Sequence, residues 1–465
     1  IWKKAESHAY LALAPIVVFL LTWIGEETRL FENFENLTIN WRFQARAAWD
    51  KMPDSRLMVV AIDEESLKDL GRWPWPRATH GDLCQLLALS NPAVVSFDIL
   101  FTERADQAAE LKAKEAEQQL KKTDPKDREK LLRAKQAAEQ AQKAFLEARE
   151  SDLYFAQGLA KVPSVITGAV RDQASKEIPK DFGLTRPIIQ IQGDPSRILN
   201  ESGALFPIKP LCERSYFGFV DCSPTSADGI RRAVPMLIRI GKDVFPSLTL
   251  QTLCLFWKIS PQQIDVRLGS EIRLPTSQGM KDIPINAAGE FLINYRKTEN
   301  FNSIGVGYSN LMGALAKHHV AGKPWSKKIP EIENKILMIG QTQEGLTDMG
   351  PSPLEGLTPL VYVHLNALNN ILQEDYLHIV PILWTALAWL VIGWISLYGL
   401  QQAPIGVSIR IPILLIVGYV GVAFCLFFGK SLQLPLFGPV FGFSGLHLGA
   451  IILRWTAEQK SKRYI

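Results

Sequence analysis

The stretch Leu57-Met-Val-Val-Ala-Ile-Asp63 is an unbroken apolar run that ends on a carboxylate. Such a run is typical of a strand that is buried on both faces of a sheet. A second run of the same character is Ala93-Val-Val-Ser-Phe-Asp-Ile-Leu-Phe101, and a helical pattern at 79–89 separates the two. Strand, helix and strand in this order predict a βαβ unit with two adjacent parallel strands.

The same kind of pattern continues along the polar part of the chain, which spans 26–377. Apolar runs bounded by turn residues predict four more strands, at 164–170, 233–240, 291–295 and 335–340. Helices that pack on these strands are predicted at 245–257 and 364–371. The fold class is therefore α/β, a mixed sheet with helices, large enough to bury a sizeable core.

Residues 103–160 interrupt this pattern, because they are rich in Ala, Glu, Lys and Gln. Thr123-Asp124-Pro125 divides them into two helical halves, with Asp124 as the expected N-cap and Pro125 as the first helical residue. We predict a helical hairpin inserted after the second strand. Its apolar positions are mostly alanine, which favours a solvated arm. The alternative is a contact with a partner or a second protomer.

Four apolar segments flank this domain, and none of them contains Asp, Glu, Lys or Arg. About 20 apolar residues are enough for a helix to cross a bilayer. The first segment could also be a signal peptide, but no small-residue cleavage site follows it, which favours an anchor. We predict four transmembrane helices, at 9–25, 378–400, 411–429 and 434–453.

Basic residues give the orientation of these helices. They precede the first segment, lie between the second and third, and follow the fourth: Lys3, Lys4, Arg410, Arg454, Lys460, Lys462 and Arg463. The positive-inside rule places all of them in the cytoplasm. The prediction is a cytoplasmic N-terminus at 1–8, an extracytoplasmic domain at 26–377 and a cytoplasmic linker helix at 454–465.

Composition excludes some classes of function. The formal net charge of +4 is too small to indicate a nucleic-acid partner. The chain has five cysteines but no CxxC spacing, so no metal site is expected. Cys212 and Cys222 flank a Tyr-Phe-Gly-Phe segment and are either a disulfide of an oxidising compartment or two buried thiols; the second alternative is favoured.

One candidate binding surface is Trp73-Pro-Trp75-Pro-Arg77. Its two prolines stiffen the backbone, so that two aromatic faces and a guanidinium can line one surface. Arg77 would then pair with an anion or with Asp98. The alternative is structural: the tryptophans dock on the sheet, and Arg77 bonds carbonyls or a core carboxylate. The structural alternative is favoured.

Polar residues at strand and helix ends give further candidates. Asp63 and Asp98 end the two predicted parallel strands, where open α/β sheets place ligands. Paired carboxylates can serve acid–base chemistry, but a cap or a turn bond is the favoured role. His364 and Asn366 share the start of a helix, where a cap or a buried hydrogen bond is the default interpretation.

The last apolar segment carries the candidates for signal transmission. Gly442, Gly445 and Gly449 belong to small-xxx-small patterns that let helices approach closely, either within one bundle or between two protomers. Arg454 follows directly. His447 lies inside the segment, where an ionisable side chain marks function by default. The favoured interpretation is a neutral histidine bonded to a carbonyl of a neighbouring helix.

Several motifs together resemble the CHASE type-2 extracellular sensor family. They begin with Val59-Val-Ala-Ile-Asp-Glu-Glu-Ser-Leu67, Gly71-Arg-Trp-Pro-Trp-Pro-Arg77 and Val95-Ser-Phe-Asp-Ile-Leu-Phe-Thr-Glu103. They continue at Gly218-Phe-Val-Asp221, Asp228-Gly-Ile-Arg-Arg232, Asn334-Lys-Ile-Leu-Met-Ile-Gly-Gln-Thr-Gln343 and Val363-His-Leu-Asn-Ala-Leu368. The hairpin and the irregular segment 351–361 depart from the family pattern, which puts a ligand loop at 351–361 in doubt.

The resemblance implies the sensor and membrane region of a bacterial receptor in the inner (plasma) membrane. The tail 458–465 resembles the helix that leads into a class III adenylate cyclase, so the implied output is cyclic AMP. Histidine kinases and serine/threonine kinases are alternative outputs. Because the chain begins with Ile1, we expect it to be a fragment that lacks its output domain.

The resemblance also sets expectations for cofactors and partners. No catalytic residue and no cofactor are expected in this chain, and ATP and Mg²⁺ belong to the output domain alone. The expected partners are membrane lipid, a second copy of the chain in a homodimer and an extracellular ligand or protein of unknown identity. The alternative function is a membrane-anchored module for assembly with another protein.

Overall fold

A computed structural model describes residues 2–124, 127–175, 183–200, 203–221, 226, 228–326, 331–343, 345, 349–402 and 404–462. The chain forms two compact units. The helical unit comprises Ile1–Asp50, Ser226–Ile230 and Asp375–Ile465, and the α/β unit comprises Lys51–Thr225 and Arg231–Glu374. The units thus divide the chain after residue 50, whereas the predicted domain boundary lies at residue 26.

Helices make up nearly all of the helical unit and cover the sheet of the α/β unit. In chain order the α-helices are α1 (Trp2–Glu27), α2 (Glu32–Arg46), α3 (Glu64–Leu70), α4 (Arg77–Leu87), α5 (Gln107–Lys122), α6 (Arg128–Leu159), α7 (Lys209–Cys212), α8 (Leu248–Phe256), α9 (Tyr308–Leu315), α10 (Val361–Gln373), α11 (Ile382–Gln402), α12 (Ile405–Lys430) and α13 (Phe437–Lys462).

Most strands belong to the α/β unit, and many are short. In chain order they are β1 (Leu57–Ile62), β2 (Val94–Leu100), β3 (Ser164–Ser175), β4 (Gln190–Gln192), β5 (Ala204–Leu205), β6 (Tyr216–Phe219), β7 (Ala233–Pro235), β8 (Leu237–Ile240), β9 (Asp243–Pro246), β10 (Asp265–Arg267), β11 (Glu271–Thr276), β12 (Gly279–Pro284), β13 (Glu290–Leu292), β14 (Gly305–Gly307), β15 (Ile336–Gln341), β16 (Met349–Gly350), β17 (Thr358–Pro359), β18 (His378–Ile379) and β19 (Leu432–Gln433).

The central sheet of the α/β unit is built from parallel pairs. The strands β14, β1, β15, β2 and β3 lie side by side in this order, β6 pairs parallel with β3, and β5 joins β3 in the antiparallel direction. The predicted strands β1 and β2 are parallel, but they are not adjacent. β15 lies between them, with Met338 opposite both Val59 and Ser96.

Helices cover both faces of this sheet, as continuous apolar strands require. On one face, Phe97 of β2 belongs to a core cluster that includes side chains of α4, α6 and α9. On the other face, the hydroxyl of Ser96 lies 2.7 Å from that of Thr252 in α8. Successive residues of a strand point to opposite faces, so β2 contributes to both layers. A smaller sheet contains β12, β11, β10 and β4 in this order.

Helices α5 and α6 contact each other along their lengths and occupy the predicted hairpin region. The N-cap of α6 is Asp127, whose side chain accepts from the amide of Lys130; Asp124, the predicted cap, lies before it. The end of α6 is not a solvated arm. Phe155 and Leu159 are completely buried in the core beneath α4, so residues near 160 belong to the folded unit.

The helical unit holds the apolar segments. Three helical stretches, Ile382–Gly399, Gly406–Lys430 and Phe437–Thr456, are long and apolar enough to cross a membrane, and Leu13–Gly25 of α1 is a shorter apolar stretch. The second span was predicted to begin at residue 378, but its helical stretch begins at Ile382, because residues 378–379 form β18 and pair with β19. Arg410 lies inside α12 rather than in a loop. α1 contacts both α11 and α13.

The cysteines that the structure describes are free thiols. Cys84, Cys212 and Cys254 are buried, and Cys425 is exposed. Burial raises the pKa of the Cys212 thiol. Cys222 lies outside the described residues.

Candidate functional site

The central sheet separates the residues predicted to bind a ligand into two groups. Phe97 and Asp98 are neighbours in β2 and point to opposite faces. Phe97 faces the side of Trp73, Trp75 and Arg77. Asp98 faces the side of α10, because a Cβ atom on Gly340 would lie 3.4 Å from its Cβ and 2.6 Å from Val361. The structure does not bring the seven candidates into one site.

On the first face, the tryptophans belong to a buried aromatic cluster. Trp75 donates from Nε1 to the carbonyl of Gly71 at 2.9 Å, and its ring centroid lies 4.8 Å from that of Tyr308. Trp73 is half-buried and packs edge-on against Trp75 at 5.1 Å. His80 is buried beside them, with Nδ1 2.9 Å from the hydroxyl of Tyr308. These contacts support the structural alternative for Trp75.

Arg77 is likewise held by the protein itself. Its Nε lies 3.5 Å from a carboxylate oxygen of Asp152 in α6, and its guanidinium stacks 4.5 Å above the ring of Phe101. It also donates to the carbonyl of Glu103 at 3.2 Å. Burial lowers the pKa of Arg77, although Asp152 favours the charged form. Arg77 thus bonds a carboxylate and a carbonyl of the protein, which agrees with the favoured structural alternative, and its carboxylate partner is Asp152 rather than Asp98.

Asp63 caps a helix, which was the favoured interpretation. Its Oδ1 accepts from the amide of Ser66 at 2.9 Å at the start of α3. Gly307 lies directly beside it, since a Cβ atom there would be 2.6 Å from Oδ2. The carboxylate is thus occupied by the first turn of α3 and by the backbone of β14.

On the second face, His364 joins α10 to the sheet and to α8. Its Nδ1 lies 2.9 Å from the hydroxyl of Thr249, and it also bonds the carbonyl of Val220. A carbonyl can only accept, so Nε2 carries the proton and Thr249 donates to Nδ1. Burial lowers the pKa of His364 to about 4, and the bond to Val220 offsets only part of this effect. The ring is neutral at physiological pH.

The asparagines of α10 satisfy the backbone of a neighbouring segment. Asn366 accepts from the amide of Arg296 at 2.8 Å, and Asn370 both accepts from the amide of Asn294 at 2.8 Å and donates to its carbonyl at 3.0 Å. Asn369 accepts from the amide of Asp54. Of these asparagines, only Asn366 was a candidate from the sequence. Asn369 and Asn370 could have been recognised because polar amides are unusual in a helix as apolar as α10.

A hairpin of β16 and β17 precedes α10 at the carboxyl end of β15. The side chain of Arg231 crosses Gly350 so closely that a Cβ atom there would lie 2.0 Å from Nη1. Glu355, in the turn, accepts from both the amide and the hydroxyl of Thr298, at 3.1 and 3.0 Å. Segment 351–361 is therefore bonded through Glu355 to Thr298. Asp98 and Val361 both lie beside Gly340, in β15. We call this end of the central sheet, together with segment 351–361, the polar edge of the sheet.

Among the residues that the structure describes, no group of three or more His, Cys, Asp and Glu side chains could hold a metal ion. His80 and His364 are both completely buried. Burial lowers the pKa of His80 to about 3. The two histidines therefore resist protonation in the folded state, which has a measurable consequence.

The α/β unit should lose stability as the pH falls below about 6.5. Unfolded histidines bind a proton near pH 6.5, whereas folded His80 and His364 do so only near pH 3 and 4. Between these values the unfolded state binds more protons, so acid favours unfolding. At pH 5 each histidine should contribute a loss of about 2 kcal/mol. Urea unfolding at pH 7 and pH 5 measures this. His364→Gln should reduce the difference in unfolding free energy between pH 7 and pH 5, and His378→Gln, at an exposed position, should not. An equal difference in the wild type and the His364→Gln variant would contradict the account.

In the helical unit, the glycines of α13 differ in their surroundings. A Cβ atom on Gly442 would lie 2.6 Å from the Thr22 hydroxyl and 2.9 Å from Val18, so this glycine permits close contact with α1. A Cβ atom on Gly445 would meet nothing within 4 Å. Gly449 is half-buried, and Arg454 donates to the hydroxyl of Ser408 in α12 at 3.1 Å.

His447 lies between α13 and α11. Its Nδ1 is 2.9 Å from the carbonyl of Phe443, and its Nε2 is 2.8 Å from the hydroxyl of Ser396. The carbonyl can only accept, so Nδ1 carries a proton. The hydroxyl of Ser396 also donates to the carbonyl of Gly393 at 3.1 Å. The carbonyl bonded by His447 belongs to its own helix, and its partner on the neighbouring helix is a hydroxyl rather than the predicted carbonyl.

Comparison with known protein families finds a CHASE2 domain over residues 13–400. This range contains the whole α/β unit, α2, most of α11 and the part of α1 that follows residue 12. No curated protein and no solved structure matches the chain.

Proposed function

The chain belongs to the CHASE2 domain family, and on that premise we propose that it is the sensor and membrane region of a bacterial signalling receptor. The α/β unit would receive the stimulus outside the cytoplasm. The helical unit would carry the change across the inner membrane. The output would be a cytoplasmic class III adenylate cyclase that makes cyclic AMP from ATP with Mg²⁺.

Membrane insertion is supported by the apolar helices. α11, α12 and α13 have the length and composition of spans. We infer that α1 is a fourth span, because it packs against α11 and α13 and because Gly442 fits closely onto Val18 and Thr22. An even number of spans places both termini on one side, and the basic flanks make this side the cytoplasm.

The observation that carries the transmission step is the length of α13. This helix runs without interruption from Phe437 through the apolar stretch to Lys462, over 26 residues or about 39 Å. It thus extends about six residues beyond the apolar stretch that ends at Thr456. A continuous helix transmits rotation or translation to whatever follows it. Arg454 ties it to Ser408 of α12 at the expected cytoplasmic boundary.

The receptor would act as a homodimer, since class III cyclases form their active sites between two catalytic domains. One face of α13 suits a second copy. Gly445 is open, and Phe441, Leu448 and Ile452 on the same face are more than half exposed. The Gly442 face is filled by α1 of the same chain. Of the predicted glycine contacts, Gly445 is therefore the one placed to meet a second copy of the chain.

The stimulus would act at the polar edge of the sheet, where β15 and β2 end. Asp98, the segment around Arg231 and Gly350, and the first turn of α10 lie there. Ligands of open α/β sheets bind at this end of the strands. The helices α5 and α6 would be an insertion in the family fold, dispensable except for the buried end of α6.

Cyclic AMP production tests the proposed output. The polypeptide that carries this chain, expressed in a bacterium without its own adenylate cyclase, should raise cellular cyclic AMP. Membrane fractions incubated with radiolabelled ATP provide the second readout. Transfer of phosphate to protein without cyclic AMP would assign a kinase output and reject the cyclase. Neither product from a correctly inserted protein would favour the assembly module.

A further inference from the structure

Helix α2 has an inverted distribution of polar and apolar side chains. Four of its six buried residues are polar or charged, Glu35, Asn36, Arg42 and Arg46, and the other two are Ile39 and Phe43. Its exposed residues include Phe34, Leu37 and Trp41, which are 53%, 45% and 54% exposed and follow one another at helical spacing. A helix at a water-exposed surface has the opposite arrangement. Inside a membrane, charged side chains face the protein and apolar ones face lipid.

Two buried charged side chains of α2, Glu35 and Arg42, bond the segment where α13 begins. Glu35 and Arg42 form an ion pair at 2.8 Å. The other oxygen of Glu35 accepts from the amides of Leu436 and Phe437, both at 2.8 Å, where α13 begins. Arg42 donates to the carbonyl of Leu434 at 2.8 Å. These bonds fix which face of α2 points away from the protein.

The exposed side of α2 is continuous with exposed aromatic side chains of α12 and α13. Phe34 stacks on Phe437 with 4.4 Å between centroids, and Phe437 stacks on Phe441, which is 61% exposed. At the other end, Trp49 lies 6.1 Å from Phe428. The apolar surface of α2 therefore extends the surface that two candidate spans present to their surroundings.

We propose that α2 lies in the plane of the membrane at the extracytoplasmic membrane–water interface. The face that carries Phe34, Leu37 and Trp41 would contact the acyl chains of the lipid. Aromatic and aliphatic side chains on one face of an interfacial helix are typical of this arrangement. The inference rests on the proposed membrane insertion and is independent of the output enzyme. Through Glu35 and Arg42, a change in lipid contact would reach the start of α13 directly.

Spin-label accessibility in lipid nanodiscs tests this inference on the full chain. Leu37→Cys and, separately, Trp41→Cys are made in a background in which the five native cysteines are replaced, and each is labelled with a nitroxide. Val417→Cys, at a 63% exposed position of α12, is the lipid control, and Gln118→Cys, at an exposed position of α5, is the water control. Both α2 labels should be relaxed more by oxygen than by a water-soluble nickel chelate, as at Val417.

Each other outcome overturns the proposal. Preferential relaxation by the nickel chelate would place the face in water. Shielding from both reagents would place protein on it. Dipolar broadening between labels would identify a second copy of the chain as the occupant. A water-exposed label at Val417 would reject membrane insertion itself, so failure of the proposed topology is distinguishable from failure of the α2 inference.

Discussion

Glu35→Ala should destabilise the helical unit by about 3 to 5 kcal/mol, the usual cost of removing one partner of a buried ion pair. The side chain of Arg42 is completely buried, so its charge would lose the carboxylate that compensates it. The amides of Leu436 and Phe437 would lose their acceptor at the same time. Thermal unfolding of the detergent-purified chain measures the effect.

Two control variants separate charge from packing. The double variant Glu35→Gln with Arg42→Met removes both charges and keeps an amide oxygen for Leu436 and Phe437, so it should be less destabilised than Glu35→Ala. Glu64→Ala removes an exposed ion pair with Lys68 and should change stability little. If Glu35→Ala unfolds like the wild type, the bonds of Glu35 do not hold α2 against α13.

Gly218→Ala should destabilise the α/β unit by about 3 kcal/mol or more, at the upper end of overpacking costs. A Cβ atom on this residue of β6 would lie 2.7 Å from the amide nitrogen and Cα of Leu248 and from the carbonyl oxygen of Ser247. These are backbone atoms at the start of α8 and cannot rotate away. Urea unfolding, followed by tryptophan fluorescence, measures the loss.

Gly313→Ala is the matched control, because a Cβ atom there would meet nothing within 4 Å. Gly313 lies inside α9, where alanine is favoured over glycine by about 1 kcal/mol. This variant should be neutral or more stable. Equal unfolding of the Gly218→Ala protein and the wild type would show that β6 and α8 are not in the contact described.

Local pattern was sufficient to predict the longer strands of the central sheet, β1, β2, β3 and β15, but not its short strands β5, β6 and β14. The apolar run at 57–63 became β1, and that at 335–340 became β15, because a continuous buried run needs a sheet covered on both faces. The position of β15 between β1 and β2 could not be predicted. Strand order depends on contacts over hundreds of residues, and the βαβ pattern favours adjacency only as a tendency.

For the candidate residues too, partners close in sequence could be predicted and distant ones could not. That Asp63 would cap a helix followed from its neighbours, since its partner Ser66 is three residues away. The partner of Arg77 did not follow from its neighbours, because Asp152 lies on α6, one of the two inserted helices, 75 residues along the chain. Only one side of α2 could have been recognised from the sequence. Its apolar stripe is visible in the sequence, but burial of Glu35 and Arg42 requires knowledge of α13.

The central claim is that an extracytoplasmic α/β sensor unit is anchored by helices whose two ends lie in the cytoplasm. A reporter that is active only in the cytoplasm tests this claim most directly. Fused after Asp172, in β3 of the α/β unit, it should be silent, and fused after Lys462, at the end of α13, it should be active. Activity of the fusion after Asp172 would place the α/β unit in the cytoplasm and contradict the account.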